Sequence, residues 1–138
     1  MANIADDITE LVGNTPLLRL HKFEKEAGFE GKILAKLEVF NPTGSVKDRI
    51  AKNMIEQAER DGRLKPGGTI IEATSGNTGI GLAAIAAAKG YQAIIVMPDS
   101  MSKERIRILE AYGAKVVLTP GEKNMGGANE KAAEILEQ

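Results

Sequence analysis

A lysine stands near the start of a predicted helix in the segment NPTGSVKDR, residues 41–49. Lys47 follows the turn-forming Gly44, and the spacing of apolar residues after it predicts a helix. A positive charge is unfavourable there, because the first turn of a helix exposes unpaired N–H groups and the positive end of the helix dipole. These conditions favour a neutral amine, which is a nucleophile and can form a Schiff base with an aldehyde. The spacing of Ser45 and Asp48 also fits a capping box, beside which Lys47 would be an ordinary surface lysine.

A second segment with possible chemistry, ATSGNTGIG, runs from a predicted strand into a predicted helix at residues 73–81. Its glycines allow a ligand to approach the backbone closely. Short polar side chains and the free N–H groups of the next helix would form a cradle for an anion. The side chains of this cradle are Thr74, Ser75, Asn77 and Thr78. The glycine spacing matches neither the dinucleotide fingerprint nor a P-loop, and a side-chain-capped turn is the alternative interpretation.

A third strand–helix loop, MPDSMSKER at residues 97–105, offers less chemistry. A serine is expected to cap the helix, and the charged residues from Lys103 to Arg105 are expected to be solvated. His21 is the only histidine and there is no cysteine. We therefore predict His21 to be a surface residue, and we predict no metal site and no cysteine-protease site.

The elements that would position these loops alternate along the chain. Strands are predicted at residues 16–20 and 32–40, and the order from Ser45 onward is α-β-α-β-α-β-α. The later strands are Val- and Ile-rich, which is typical of a buried parallel sheet with helices on both faces. Ligands bind at the carboxyl ends of such strands, where all three loops lie. We predict an α/β fold in residues 41–138, with at most four parallel strands, preceded by an N-terminal arm of two strands in residues 1–40.

Composition limits the classes of function. A chain of 138 residues is long enough to form one domain with its own core. Its 18 basic and 19 acidic residues give a net charge of −1, which argues against nucleic acid or an anionic membrane surface as partner. The segment MANIADDITE lacks the features of a secretory signal, and the longest apolar run, residues 80–88, is too short to span a bilayer. A cytoplasmic protein is expected.

The first two loops together resemble the signature of an enzyme family. NPTGSVKDR followed by EATSGNTGIGLA is similar to the cysteine synthases, or O-acetylserine sulfhydrylases. These are fold-type II, or tryptophan-synthase-β-like, enzymes that use pyridoxal 5′-phosphate. The similarity extends to LVGNTPLLRL, KLEVFNP, VMPDSMSKERIRIL and AYGAKVVLTP, and thus runs from near Asp6 to the end. It implies the small α/β domain of that fold and a β-replacement in which sulfide displaces acetate from O-acetylserine to give cysteine.

The resemblance also implies roles for individual residues. Lys47 would be the Schiff-base lysine, and later the base that removes the α-proton of the substrate. Asn77 would donate a hydrogen bond to the 3′-oxygen of the cofactor. The α-carboxylate of the substrate would be held by Thr74, Ser75 and Thr78, in agreement with the anion cradle.

Only the N-terminal half of that family is covered, because its members are much longer. The resemblance implies three missing parts: the Gly/Thr-rich loop for the cofactor phosphate, the serine at the pyridine nitrogen and a glutamine at the substrate carboxylate. The N-terminal arm would then pack on an absent large domain, and activity would require the C-terminal half or a homodimer partner. The alternatives are a fragment, one part of a split enzyme, or an engineered or non-catalytic α/β binding module. Cystathionine β-synthases and sulfhydrylases that use O-phosphoserine share the pattern and stay open as alternative enzymes.

Overall fold

The computed structural model describes residues 4–137. Residues 1–3, which belong to the predicted arm, and residue 138, the last of the final predicted helix, lie outside it. In chain order the strands and helices are β1 (Leu17–Arg19), α1 (His21–Glu26), β2 (Leu34–Lys36), α2 (Lys47–Arg60), β3 (Thr69–Ala73), α3 (Asn77–Lys89), β4 (Gln92–Pro98), α4 (Lys103–Ala111), β5 (Lys115–Thr119) and α5 (Asn124–Leu136). No helix of the described part is long and apolar enough to cross a membrane.

The central sheet is parallel and has the strand order β3-β4-β5. Val96 of β4 lies opposite Ala73 of β3 and Val117 of β5, so the three strands end at one edge. β4 has a neighbour on each side and is the most deeply buried strand, as its continuous apolar run predicts. The predicted α/β fold with a parallel sheet is confirmed, with three strands among the described residues.

Helices cover both faces of this sheet. Ile95 and Met97 of β4 belong to a core cluster with Ala83 of α3 and Leu109 of α4. Val96, between them in sequence, points to the opposite face because side chains alternate along a strand. There α5 packs across all three strands and buries Ala128 completely. The prediction of helices on both faces is therefore confirmed.

α3 is apolar on nearly all sides because it lies between the sheet and α2. Its Leu82 and Ile85 form a second buried cluster with Ala51 and Ile55 of α2. The three large side chains, Leu82, Ile85 and Ile55, contribute about 1.5–3 kcal/mol each when they are fully buried. This packing holds α2 and α3 against each other, and so determines where their N-termini lie.

The N-terminal arm forms a separate, antiparallel sheet of β1 and β2. Its apolar side chains are exposed, with 60% of Leu17 and 52% of Leu34 accessible to solvent. The predicted strand at 32–40 is too long: β2 ends at Lys36, and residues 38–40 form a 3₁₀ turn. Pro16 precedes the partner strand and has no N–H to extend the ladder, which explains the early end.

The charged segment between these strands contains a helix, α1, that the sequence patterns did not predict. Glu24 of α1 is buried, and its carboxylate accepts hydrogen bonds from the Ile33 N–H at 2.6 Å and from Arg19 Nε at 3.1 Å. These partners lie 5 and 9 positions away and outside the six-residue helix, so periodicity within the helix could not reveal them. His21 begins this helix with an exposed side chain, as predicted.

Candidate functional site

Lys47 is the first residue of α2, and hydrogen bonds close the turn before it. Gly44 has a φ of +78°, a left-handed conformation that favours glycine and turns the chain before the helix. The Lys47 N–H donates to Ser45 Oγ at 3.1 Å. The Thr43 N–H donates to the buried Asp48 carboxylate at 2.7 Å, and the Thr43 hydroxyl donates to the same group. The Ser45 and Asp48 side chains, on either side of Lys47, therefore hold the turn that precedes the helix.

The predicted capping box has the expected spacing but different bonds. Its two side chains would normally bond the N–H groups of Asp48 and Ser45. Instead Ser45 Oγ accepts from Lys47, and the Asp48 carboxylate accepts from Thr43. The turn at Gly44 presents the Thr43 N–H to the carboxylate, which explains the exchange.

The side chain of Lys47 is half-buried. Within residues 4–137 its Nζ forms no hydrogen bond and no ion pair. Lys52, on the same helix, is different: its Nζ donates to the Thr9 carbonyl at 2.9 Å and lies 3.9 Å from Glu56. The amine of Lys47 is thus available for a ligand, while that of Lys52 is engaged in the fold.

The loop between β3 and α3 contains the predicted cradle. The Thr74 N–H donates to the Val96 carbonyl at 3.0 Å, which ties the loop to β4. Thr74 Oγ1 accepts from the Gly76 N–H at 3.3 Å. Gly76 is extended and no side chain caps α3, so the structure differs from the alternative of a side-chain-capped turn. The first N–H groups of α3 remain available to a ligand.

Two of the four cradle residues, Thr74 and Ser75, precede α3, and the other two, Asn77 and Thr78, begin it. Thr74, Ser75 and Thr78 are half-buried, whereas Asn77 is exposed. In the described part of the chain, the side chains of Ser75, Asn77 and Thr78 make no hydrogen bond. Their hydroxyl and amide groups are therefore free to bind a ligand at the carboxyl edge of the sheet.

Gly81 brings the two loops together. A Cβ on Gly81 would lie 3.3 Å from the Lys47 carbonyl oxygen, 3.5 Å from Asp48 Cα and 3.1 Å from Ala51 Cβ. The first turn of α2 thus rests directly on α3, about 6 Å along the axis from Asn77 at 1.5 Å per residue. Sequence reasoning treated Gly81 only as part of a glycine spacing and missed this contact, because the partner helix lies 30 residues earlier.

The third loop contributes a contact that the sequence analysis did not predict. Ser102 is the N-cap residue of α4, but its side chain forms no capping bond. Arg105, expected to be solvated, donates from Nη1 to the Ser75 carbonyl. Arg105 is exposed, as expected, and its additional contact with Ser75 could not be predicted from α4 alone. β3 and β4 end side by side, so the first turn of α4 faces the loop that follows β3.

A partly buried hydrogen-bond network lies beside the Lys47 turn and includes Asn41 and Arg49, which flank it in sequence. The Glu38 carboxylate accepts from Arg49 Nε at 2.8 Å and from the Thr15 hydroxyl at 2.6 Å. The Asn41 amide donates to Glu38 at 2.9 Å and accepts from the Gly13 N–H at 2.8 Å. The bonds from Arg49, then Thr15 and Asn41, lower the pKa of Glu38 to about 2.

This pKa predicts that the chain loses stability between pH 4.5 and about 2. The folded-state pKa lies below the ordinary value of 4.5, so the stabilisation is complete above 4.5 and is lost as the pH falls toward 2. Glu38→Gln should make the fall in unfolding free energy over this window shallower, as measured by urea unfolding. Glu122→Gln, at an exposed carboxylate, should leave the slope unchanged. Equal slopes for both variants would contradict the role of Glu38.

A cavity of about 200 Å³ lies between α2 and β3, away from the carboxyl edge of the sheet where the cradle residues lie. Its lining includes Met54, Leu64 and Glu72, and burial raises the pKa of the Glu72 carboxyl. None of the cradle residues lines it. The cavity is therefore separate from the candidate site, which opens to solvent.

Comparison with known proteins identifies the family. A model of the family described as pyridoxal-phosphate dependent enzymes matches residues 8–138. The chain belongs to that family. The predicted cofactor, pyridoxal 5′-phosphate, is the one that this family uses.

Relatives within the family agree with the predicted resemblance. The chain is 58% identical to a probable cysteine synthase from Bacillus subtilis over 138 residues, which is all of this chain and 44% of the relative. It is 60% identical to the mouse cystathionine β-synthase over 117 residues, or 85% of this chain and 21% of the relative. The crystal structure of cysteine synthase from Entamoeba histolytica superposes with a TM-score of 0.92 at 47% identity, over 98% of this chain and 40% of that one. The chain thus spans less than half the length of the relatives it matches.

The residues at the carboxyl edge of the parallel sheet fit part of the family's cofactor. Pyridoxal phosphate carries an aldehyde, which requires a primary amine, and Lys47 offers one that is half-buried and unpaired within the described residues. The cofactor also carries the 3′-oxygen, a substituent of its ring next to the aldehyde. The side-chain amide of Asn77 has no other hydrogen-bond partner among residues 4–137 and could donate to this oxygen. The uncapped start of α3 suits a carboxylate. The donor set therefore fits the reactive side of the cofactor and its substrate.

Proposed function

We propose that the chain is the N-terminal half of a pyridoxal-phosphate dependent cysteine synthase. The reaction would replace the acetyloxy group of O-acetylserine with sulfide, giving cysteine and acetate. The observation that carries this proposal is the contact at Gly81, which sets the Lys47 turn beside the uncapped start of α3. The names of the Bacillus and Entamoeba relatives support the reaction.

Two residues would hold the reactive side of the cofactor. Lys47 Nζ would bond its aldehyde carbon, and the Asn77 amide would donate a hydrogen bond to the neighbouring 3′-oxygen. When bound, the cofactor supplies an electron sink for the carbanion at the substrate α-carbon. Once the substrate amine has replaced it at the aldehyde carbon, the released Lys47 Nζ would accept the α-proton, since it has no other partner among the described residues.

The substrate carboxylate would bind at the start of α3. The hydroxyls of Thr74, Ser75 and Thr78 and the free N–H groups of the first helical turn would all donate hydrogen bonds to this carboxylate. The helix dipole adds a favourable interaction of about 0.3–1 kcal/mol. The cradle would thereby orient the substrate so that its α-proton faces Lys47.

The rest of the site would come from the C-terminal half, because this chain spans only 44% of the Bacillus relative. In this proposal, residues 1–40 form an arm that packs on the second half, and residues 41–138 form the small domain. The exposed Leu17 and Leu34 support such packing, because an isolated two-stranded sheet is marginally stable. A cytoplasmic location and a homodimer complete the proposal.

One observation favours a second enzyme class. The mouse cystathionine β-synthase is 60% identical over the shared part, so these residues fit either reaction. The two enzymes would differ in the nucleophile, which is sulfide for the first and a thiol amino acid, homocysteine, for the second. O-phosphoserine in place of O-acetylserine is a further alternative, and a module without catalysis is the remaining one.

The proposal is tested by completing the enzyme. The chain is fused to the part of the Bacillus relative that it does not match, and product formation is measured with each donor and each nucleophile. We expect cysteine from O-acetylserine and sulfide. Cystathionine as the main product would support the second class, and no product from a folded, cofactor-loaded fusion would leave the non-catalytic module.

Removing a cradle hydroxyl should weaken substrate binding in the same fusion. Thr74→Val is expected to raise the KM for O-acetylserine by about tenfold, since one hydrogen bond to a charged group is lost. Thr69→Val, at the exposed opposite end of β3, is the matched control and should leave KM unchanged. If the two variants have the same KM, the carboxylate does not bind at Thr74.

A further inference from the structure

Arg105 connects the first turn of α4 to the loop before α3. Its Nη1 donates to the Ser75 carbonyl, and the next N–H of that loop, from Gly76, donates to Thr74 Oγ1 at 3.3 Å. The Ser75 carbonyl and the Gly76 N–H belong to one planar peptide unit and point in opposite directions. Arg105 and Thr74 therefore hold the two sides of the same peptide.

The orientation of this peptide decides what the Thr74 hydroxyl can do. A hydroxyl has one proton to donate and two lone pairs. Because Thr74 Oγ1 accepts from Gly76, its own proton stays available for a ligand. If the peptide rotated by half a turn, the Ser75 carbonyl would face Thr74 and take that proton. A carbonyl would then stand where the cradle needs a donor.

We propose that Arg105 is a positioning residue for carboxylate binding: it holds the Ser75 carbonyl on the α4 side, which keeps the Thr74 hydroxyl a donor to the ligand. The inference rests on the proposed role of the Thr74–Thr78 loop. Arg105 reaches this loop from a different strand–helix unit, so it also couples α4 to the state of the cradle.

If Arg105 served only to stabilise the fold, its replacement would lower the unfolding temperature. The contact is exposed, and exposed contacts of this kind add little to folding stability. Its loss should therefore leave the unfolding temperature nearly unchanged. In the positioning role, the loss of Arg105 should instead increase the hydrogen exchange of the Gly76 N–H and weaken the affinity for O-acetylserine. A long-range attraction of the carboxylate by the Arg105 charge is separable, because salt screens it, whereas peptide orientation does not depend on salt.

The experiment uses the ¹⁵N-labelled chain, and its first readout is hydrogen exchange at Gly76, which needs no ligand. Arg105→Gln is expected to raise that exchange rate by about three- to tenfold, the value of one hydrogen bond. Arg105→Lys, which keeps a cationic donor, should restore part of the protection. Arg107→Gln is the matched control, since Arg107 is an exposed arginine of α4 with no hydrogen bond among the described residues.

The second readout is the affinity for O-acetylserine, followed by amide shifts of residues 74–78 at low and high salt. We expect Arg105→Gln to weaken binding by about three- to tenfold at both salt concentrations. The proposal would be overturned if Arg105→Gln had the same Gly76 exchange rate and the same affinity for O-acetylserine as Arg107→Gln. A loss of affinity that disappears at high salt would replace positioning by simple charge attraction, and would also overturn it. If O-acetylserine shifts none of these amides either in the unaltered chain or in the cofactor-loaded fusion, the carboxylate role of the loop fails, while Gly76 exchange still decides whether Arg105 orients the peptide.

Discussion

Lys47→Ala is expected to abolish the preferred attachment of pyridoxal phosphate to this chain. Lys47 Nζ is unpaired within the described residues and lies on the helix turn that contacts α3 beside the cradle. The hydrogen bond from the Asn77 amide to the cofactor, worth about 1 kcal/mol, would favour attachment at Lys47 over a solvated lysine by about fivefold. The measurement is borohydride reduction at limiting cofactor, followed by mass spectrometry of the labelled peptides.

The control for this result is Lys103→Ala. Lys103 is also the first residue of a helix, α4, so the comparison removes any general effect of a helix start. Its replacement should leave the label on Lys47 unchanged. Equal labelling of Lys47 and Lys103 in the unaltered chain would show that no site favours Lys47, and the cofactor proposal would fail.

Gly81→Val should be the most damaging single substitution for the assembly of the site. Its Cβ would lie 3.1 Å from Ala51 Cβ and 3.3 Å from the Lys47 carbonyl, and the two methyl groups beyond have no space. Overpacking of this kind costs about 1–3 kcal/mol, more than the few tenths gained from the better helix propensity of valine. We expect lower stability in urea unfolding and weaker labelling of Lys47, because α2 must move away from α3.

Gly126→Val provides the matched comparison. Gly126 also lies near the start of a helix, α5, but a Cβ there would meet no atom within 4 Å. The substitution should be neutral or slightly stabilising and should leave the label on Lys47 unchanged. If Gly81→Val unfolds at the same urea concentration as Gly126→Val, the two helices do not pack as closely as the structure indicates.

Features with a local signal were predicted well. The apolar periodicity of α2 and the Val- and Ile-rich run of β4 follow from burial on one face or on both, and each can be recognised within a short window. The end of α3 is marked by Gly90, which takes the left-handed conformation that closes a helix. The helix α1 had no such signal, since Glu24 is held by partners outside the helix, and the early end of β2 depends on Pro16 before the partner strand.

The same distinction applies to the site. The residue types at Lys47 and at Thr74 to Thr78 carry their chemistry in the sequence: a lysine at a helix start, and short donors at a glycine-containing turn. Their adjacency is a tertiary property, because Gly81 and the packing of α2 on α3 create it. Arg105 is the clearest example, since a charged residue on an exposed helix face carries no local mark of a distant partner.

The sequence by itself therefore determined the α/β class, the family and the side chains with reactive or donating groups, because these depend on residue type and short-range spacing. The tertiary structure alone decided which of them meet. The parallel strands end at one edge, which brings the loops after β3 and β4 together, and a glycine lets the starts of α2 and α3 touch. Contacts of this kind join residues between 21 and 34 positions apart, and only the packed sheet and helices specify them.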